Sequence, residues 1–127
     1  MKKVLVSGIV LLTAIVVTTG INVRADYKAF AGSAGFGQER VSTSNTKNNN
    51  EYLAGVKWTD SDKSGHKMWF RIKNSNNEER GRILISRPGN STKYFETTAK
   101  NGYMYWLYAN REHVGNPAAY VKGVWQP

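Results

Sequence analysis

Basic and aromatic residues alternate along one stretch in the middle of the chain, from Lys67 to Lys73. In an extended strand alternate side chains point to opposite faces, so the four residues at odd positions share one face. An exposed tryptophan between cations can stack on sugar rings or bases, while the cations attract anionic groups. The other interpretation is that the cationic side chains lie over Trp69 and shield it. The predicted ligand-binding residues are Lys67, Trp69, Arg71 and Lys73.

Acid–base chemistry has one candidate location, the consecutive residues Arg111, Glu112 and His113. A secreted nuclease or hydrolase can use glutamate as the base, histidine as the acid and arginine as the phosphate ligand. Because the three residues are consecutive, their side chains diverge, which favours a solvated loop. The chain also has no cysteine nucleophile and no Gly-x-Ser-x-Gly motif. We therefore predict no catalytic residue.

A metal-binding pattern starts at Asp60 but is not completed. Asp60, Asp62 and Ser64, followed by Gly65, match the oxygen ligands and the glycine in the first half of a calcium loop. The position where calcium requires a bidentate glutamate holds Arg71, whose charge repels the ion. Aspartate, serine and glycine are also ordinary hairpin residues. We predict no metal ion and no cofactor.

The first residues of the chain predict export from the cell. A short basic start is followed by an uncharged apolar run over 4–17, and Val23-Arg24-Ala25 places small residues where a signal peptidase cleaves. The alternative is an uncleaved membrane anchor, but the apolar run is short for a span of about 20 residues. We predict a signal peptide over 1–25 that is cleaved after Ala25, and a secreted, extracellular protein.

Removal of that segment leaves a moderately basic protein of 102 residues, in which 15 bases oppose 9 acids for a formal net charge of +6. A length of this kind predicts one domain. Positive charge on an extracellular protein favours an anionic wall polymer, a glycan or a membrane surface as partner, or serves solubility alone. The bases are scattered without a run of three, and we predict no specific nucleic acid partner and assign no oligomeric state.

Strands must position these residues, because no mature segment shows the apolar spacing of a capped helix. Short alternating runs are instead separated by turn signals such as Pro88–Ser91. This pattern predicts an all-β fold, an antiparallel and jelly-roll-like β-sandwich of about 6–8 strands after the signal peptide. The predicted strands are 52–59, 67–73, 80–87, 92–98, 103–109 and 119–125.

The composition changes near residue 50. Residues 26–50 are rich in glycine, alanine and asparagine, and we predict a flexible segment there, with 38–43 as a candidate short edge strand. Residues 51–127 are predicted to form the β-sandwich domain.

Tyr103–Ala109 is the most aromatic stretch, with no charged residue. It predicts a central strand that is buried on both faces. The same reasoning places Trp58, Trp106 and Trp125 in the core, with a cost of about 3–5 kcal/mol for replacing Trp106 by alanine.

Several short motifs carry a resemblance to known proteins. They are Asn48-Asn49-Asn50, Trp69-Phe70 leading to Asn74, the Pro88-Gly89 turn, Leu107-Tyr108-Ala109-Asn110 and Val121-Lys122-Gly123-Val124-Trp125. In these motifs the chain resembles a family of small secreted all-β proteins of uncharacterised function from bacilli and related Gram-positive bacteria. In layout alone it is similar to lactococcin-type bacteriocins, which are small, secreted, cysteine-free β-sandwich proteins that act on other bacteria.

Three functions are compatible with the sequence. The favoured one is a secreted non-enzymatic protein that binds an anionic or carbohydrate surface of the cell envelope. The alternatives are a bacteriocin-like or toxin-like antibacterial protein that acts on competing bacteria, and a secreted nuclease or hydrolase.

Overall fold

The computed structural model describes residues 27–62, 67–113, 115 and 117–127. The predicted signal peptide over 1–25 lies outside the described residues, as do Ser64 and Gly65 of the calcium-like pattern. Within the described ranges, no helix is long and apolar enough to cross a membrane.

Every regular element in the described part of the chain is a β-strand, as the sequence predicts. Nine strands occur, which exceeds the predicted number because three of them lie before residue 50. They are β1 (Lys28–Ala34), β2 (Glu39–Arg40), β3 (Asn45–Thr46), β4 (Leu53–Ser61), β5 (Met68–Lys73), β6 (Glu79–Ile85), β7 (Lys93–Glu96), β8 (Met104–Arg111) and β9 (Ala119–Gln126).

The strands form two antiparallel sheets. The four-stranded sheet has the order β1-β9-β4-β7, and the five-stranded sheet has the order β2-β8-β5-β6, with β3 also paired to β8. The register of β5 against β6 and β8 places Phe70 opposite Ile83 and Ala109. The arrangement is the predicted antiparallel sandwich.

The core lies between the two sheets and is centred on the Phe70 ring. Its centroid is 5.5 Å from those of Phe30 and Trp58, both in edge-on geometry. Trp58 and Trp125 are buried as predicted. The buried apolar residues are Phe30, Ala34, Val41, Ala54, Val56, Trp58, Met68, Phe70, Ile72, Ile85, Phe95, Ala99, Tyr105, Leu107, Ala109, Ala119, Val121 and Trp125.

The segment 26–50 differs from the flexible segment that its composition predicts. β1 pairs with β9 over seven residue pairs, and Phe30 enters the core. Burying a phenylalanine contributes about 1.5–3 kcal/mol, to which the strand ladder adds its hydrogen bonds. The small residues of β1 permit close approach, since a Cβ on Gly32 would lie 3.0 Å from a methyl carbon of Val41. The composition of residues 26–50 therefore did not predict that this segment forms strands and packs on the core.

Backbone hydrogen bonds link the two sheets at both edges of the sandwich. Val41 accepts from the Ala31 amide at 3.0 Å and donates to the Leu107 carbonyl at 2.9 Å. At the opposite edge the Thr98 amide donates to the Arg80 carbonyl at 2.8 Å. These bonds satisfy strand groups that would otherwise offer an open edge to another chain.

Burial along β8 corrects one prediction. The strand is central in its sheet, but only one of its faces is buried: Tyr105, Leu107 and Ala109 point into the core. Trp106 and Tyr108 are half-buried on the other side. A strand in a two-layer sandwich has one core side and one solvent side, so the prediction that 103–109 is buried on both faces, with Trp106 in the core, is wrong.

Candidate functional site

The outer face of the five-stranded sheet brings basic and aromatic side chains together from four strands. The register aligns Arg40 with Tyr108, Tyr108 with Arg71, and Arg71 with Arg82. Lys73 lies opposite Trp106. We call this surface the cation–aromatic face. It consists of Arg40, Trp69, Arg71, Lys73, Arg82, Trp106 and Tyr108.

Three of the four predicted ligand-binding residues, Trp69, Arg71 and Lys73, lie on this face. Lys67 precedes β5, and its carbonyl accepts the Glu112 amide at 3.3 Å. Cationic side chains lie over the Trp69 ring, which agrees with the interpretation that they shield it rather than leave it free for stacking. The guanidinium carbons of Arg71 and Arg82 lie 5.2 and 5.1 Å from its centroid.

One half of the face contains its own carboxylate. Glu79 forms ion pairs with Arg71 at 2.7 Å and with Arg82 at 3.7 Å. The Arg71 Nε also donates to the Asn110 side-chain oxygen at 3.1 Å. The two guanidinium groups over Trp69 are thus held by protein groups, and we call Trp69, Arg71 and Arg82, together with the adjoining Glu79, the compensated half.

The other half, which we call the uncompensated half, consists of Arg40, Lys73, Trp106 and Tyr108. The guanidinium carbon of Arg40 lies 5.1 Å from the Trp106 ring centroid, and its Nε and Nη2 donate to the Tyr108 hydroxyl at 3.2 and 3.0 Å. The Lys73 ammonium lies 4.7 Å from the Tyr108 centroid, and Lys73 is only 8% exposed. Among the described residues, no carboxylate lies within ion-pairing distance of Arg40 or Lys73.

The arrangement of cations and rings on this face favours an anionic ligand over a neutral one. Each of the three rings has a cation within 6 Å of its centroid, and this cation competes with a neutral sugar for stacking on the ring. A guanidinium stacked on a ring keeps donors along its edge for phosphate, sulfate or carboxylate oxygens. Lys73 is largely buried as a residue and has no carboxylate within ion-pairing distance among the described residues, and its ammonium instead contacts the Tyr108 ring. The uncompensated half therefore suits an external anion.

The sequence reasoning missed several members of the face. Arg82 alternates with the partly buried Ile83 in β6, so pairing this strand with β5 as a hairpin would have found it. Trp106 and Tyr108 alternate with buried residues in the same way. No sequence pattern near Arg40 indicates that it belongs to this face. Its strand, β2, has only two residues, and Tyr108, the partner of Arg40, is 68 positions away in the sequence.

The segment Arg111–His113 brings two of its three side chains together. Exposed His113 and half-buried Glu112 form a pair, with 3.2 Å between the carboxylate oxygen and Nε2. Arg111 is buried, and its Nη1 donates to the Pro117 carbonyl at 2.7 Å. Burial lowers the pKa of the Arg111 guanidinium, while the charge of Asp62 opposes that shift. The arginine thus contacts the opposite end of its own loop.

The aspartates of the calcium-like pattern have backbone partners. One oxygen of Asp62 accepts the Tyr120 amide at 2.7 Å, and Asp60 accepts the Ser61 amide at 2.9 Å. Across the described ranges, no three side chains of histidine, cysteine, aspartate or glutamate are grouped so as to hold a metal ion.

Comparisons with protein-family models, curated proteins and solved structures find no match to this chain.

Proposed function

We propose that the protein is a secreted, non-enzymatic binder of anionic polymers of the cell envelope, and that the cation–aromatic face is its binding surface. The observation that carries this proposal is the uncompensated half, where Arg40 and Lys73 are held against Tyr108. Glu79 stands opposite Lys73 in the β5–β6 register but pairs with Arg71 and Arg82, and no carboxylate of the described residues lies within ion-pairing distance of Lys73 or Arg40.

The charge of the face supports an anionic partner. Its four cations are opposed by Glu79 alone among the residues that contact them, so the cluster carries a formal charge of +3. A local excess of positive charge attracts polyanions and accelerates their association at low salt. Binding should therefore weaken as salt is added.

The width of the face favours a polymer over a single ion. Arg40, Tyr108, Arg71 and Arg82 stand on adjacent strands, in register. Three strand spacings of about 4.8 Å place the Cα atoms of Arg40 and Arg82 about 14 Å apart. Several anionic groups of one polymer can therefore be bound together. The rings already hold the cationic groups in place, which reduces the entropy lost on binding.

A pull-down on purified cell walls tests the proposal. The protein is compared on intact walls and on walls stripped of their anionic polymers, over a range of salt concentrations. The double variant Arg40→Gln/Lys73→Gln is expected to bind at least about tenfold more weakly, because a hydrogen bond to a charged group contributes about 1.5–3 kcal/mol. The matched control is Lys57→Gln/Lys122→Gln, which removes the same charge from the outer face of the four-stranded sheet.

Two results would refute the proposal. One is an equal loss of binding in both double variants, since net charge alone would then explain it. The other is the absence of binding to intact walls even at low salt.

A second candidate function follows from the residues at the start of β8. Met104 and Tyr103 are 53% and 63% exposed, and Met104 lies on the same side of the strand as Trp106. Exposed apolar residues beside aromatic and cationic groups suit the interface of an anionic membrane. This favours the antibacterial alternative. Permeabilisation of phosphatidylglycerol vesicles, lost in Met104→Ser, would support it, whereas intact vesicles at saturating protein would exclude it.

A further inference from the structure

A cavity of about 180 Å³ opens at one end of the sandwich, separate from the cation–aromatic face. Its floor is formed by Trp58 and Ile85, which are 2% and 5% exposed. The segment between β6 and β7 forms its wall and rim. Its lining includes Trp58, Ile85, Arg87, Pro88, Ser91 and Lys93.

Both cations of this cavity are exposed and stand next to the ends of core-facing rows. Ile83 and Ile85 point inward from β6, and Arg87 follows at the same two-residue spacing. Phe95 points inward from β7, and Lys93 precedes it at that spacing. Each apolar row thus ends in a cation where the core ends.

Neither cation has an acidic partner in the described part of the chain. No ion pair there involves Arg87 or Lys93. Two positive side chains therefore border an apolar floor, and the Ser91 hydroxyl supplies one more donor beside them.

Hydrogen bonds hold the cavity in shape. The indole N–H of Trp58 donates to the Asp60 carbonyl at 2.9 Å, which fixes the ring. The Gly89 amide donates to the Trp58 carbonyl at 2.8 Å, which holds the rim segment against β4. A ligand would enter a site that already exists and would lose little affinity to ordering it.

The cavity size and its charges together define a ligand class. An engineered cavity of about 150 Å³ in another protein holds benzene, so this one has room for a single ring or a branched alkyl group. We propose that it binds a small organic anion that places such an apolar group inside the cavity, against the narrow exposed edges of Trp58 and Ile85, and its anionic group between Arg87 and Lys93. This site is independent of polymer binding at the cation–aromatic face.

Benzoate is the probe, and its binding is followed by amide and indole resonances of the ¹⁵N-labelled protein. We expect a saturable shift of the Trp58 indole and the Gly89 amide, with a dissociation constant of about 1 mM, which is typical of a ligand this small. Benzyl alcohol has the ring without the charge, and acetate has the charge without the ring. Both are expected to bind about fivefold or more weakly, because each lacks one of the two interactions.

Variants then assign the site. Arg87→Gln and Lys93→Gln should each weaken benzoate binding about fivefold. Lys122→Gln on the outer face of the four-stranded sheet is the charge-matched control and should leave it unchanged. The double variant Arg40→Gln/Lys73→Gln should also retain it, which separates this site from the polymer surface. The same spectra show whether each variant is folded.

Three results would overturn the proposal. The first is the absence of a saturable shift at Trp58 up to about ten times the expected dissociation constant. The second is equal binding of benzoate and benzyl alcohol, which would show that the cations contribute nothing. The third is a benzoate response centred on Trp69 and Trp106, which would assign binding to the cation–aromatic face.

Discussion

The five-stranded sheet carries aromatic side chains on both faces, and the neighbours of those side chains differ. On the inner face Phe70 and Tyr105 are 0% and 4% exposed and lie in an apolar core. On the outer face Trp69, Trp106 and Tyr108 each have a cation close to the ring. The face on which an aromatic residue stands, and the side chains that share this face, therefore determine whether its ring packs in the core or holds a charged group in place.

The largest effect is expected on the inner face. Phe70→Ala removes the ring that contacts both Phe30 and Trp58. It should lower the free energy of unfolding by about 3–5 kcal/mol through lost burial and the cavity that remains. Urea denaturation followed by circular dichroism measures this change.

Wall binding by the folded fraction of Phe70→Ala should remain close to that of the parent protein, because no residue of the cation–aromatic face is removed. A loss below about 1 kcal/mol would place Phe70 outside the core. A large loss of binding per folded molecule would mean that the two faces are not separable.

The next effect is expected at Trp106 on the outer face. Because this ring is half-buried, Trp106→Ala should cost about 1–2 kcal/mol, less than its predicted core position implied. It should also weaken wall binding about fivefold or more, since Arg40 loses one of the two rings that hold it. Trp106→Phe keeps an aromatic ring and is the control. Unfolding and pull-down measurements on both variants make the comparison, and an unfolding cost above 3 kcal/mol with unchanged binding would return Trp106 to the core.

The contrast between β5 and β2 shows how far the sequence could predict this molecule. In β5 the alternation is local, so the sequence alone places Lys67, Trp69, Arg71 and Lys73 on one face, and the structure confirms a shared face for Trp69, Arg71 and Lys73. The position of Arg40 depends on a two-residue strand paired with a distant partner. Neither periodicity nor composition of a short segment contains that information.

The prediction that residues 103–109 are buried on both faces was wrong for a different physical reason. The composition of this run is apolar on both sides of the strand, yet a two-layer sandwich has only one interior. The cations that cover Trp106 and Tyr108 come from β2 and β5, so the solvent side of β8 is defined by residues outside the run itself.

A smaller effect, of opposite sign, is expected at Glu79 in the compensated half. Glu79→Gln frees Arg71 and Arg82 from their ion pairs and adds one positive charge to the face. Wall binding at low salt should strengthen about fivefold, as an interaction of about 1 kcal/mol between charges 4 Å apart in water predicts. The free energy of unfolding should fall by no more than about 1 kcal/mol, since Glu79 is partly exposed. Weaker binding would instead show that Glu79 orients the two arginines for the ligand.

The smallest effect is expected on the opposite side of the molecule. Lys122 is exposed on the outer face of the four-stranded sheet, between Ala31 of β1 and Asp60 of β4 in the register. Lys122→Gln should change the free energy of unfolding by less than about 0.5 kcal/mol. Its effect on wall binding should be less than about twofold at physiological salt, where charges more than about 8 Å apart are screened. The affinity of Lys122→Gln for purified walls should be measured by titration and compared with that of Arg40→Gln, because the two variants carry the same net charge. Equal losses would show that the protein binds through its total charge, and the arrangement of cations over rings would then contribute stability to the sheet and no selectivity for a ligand.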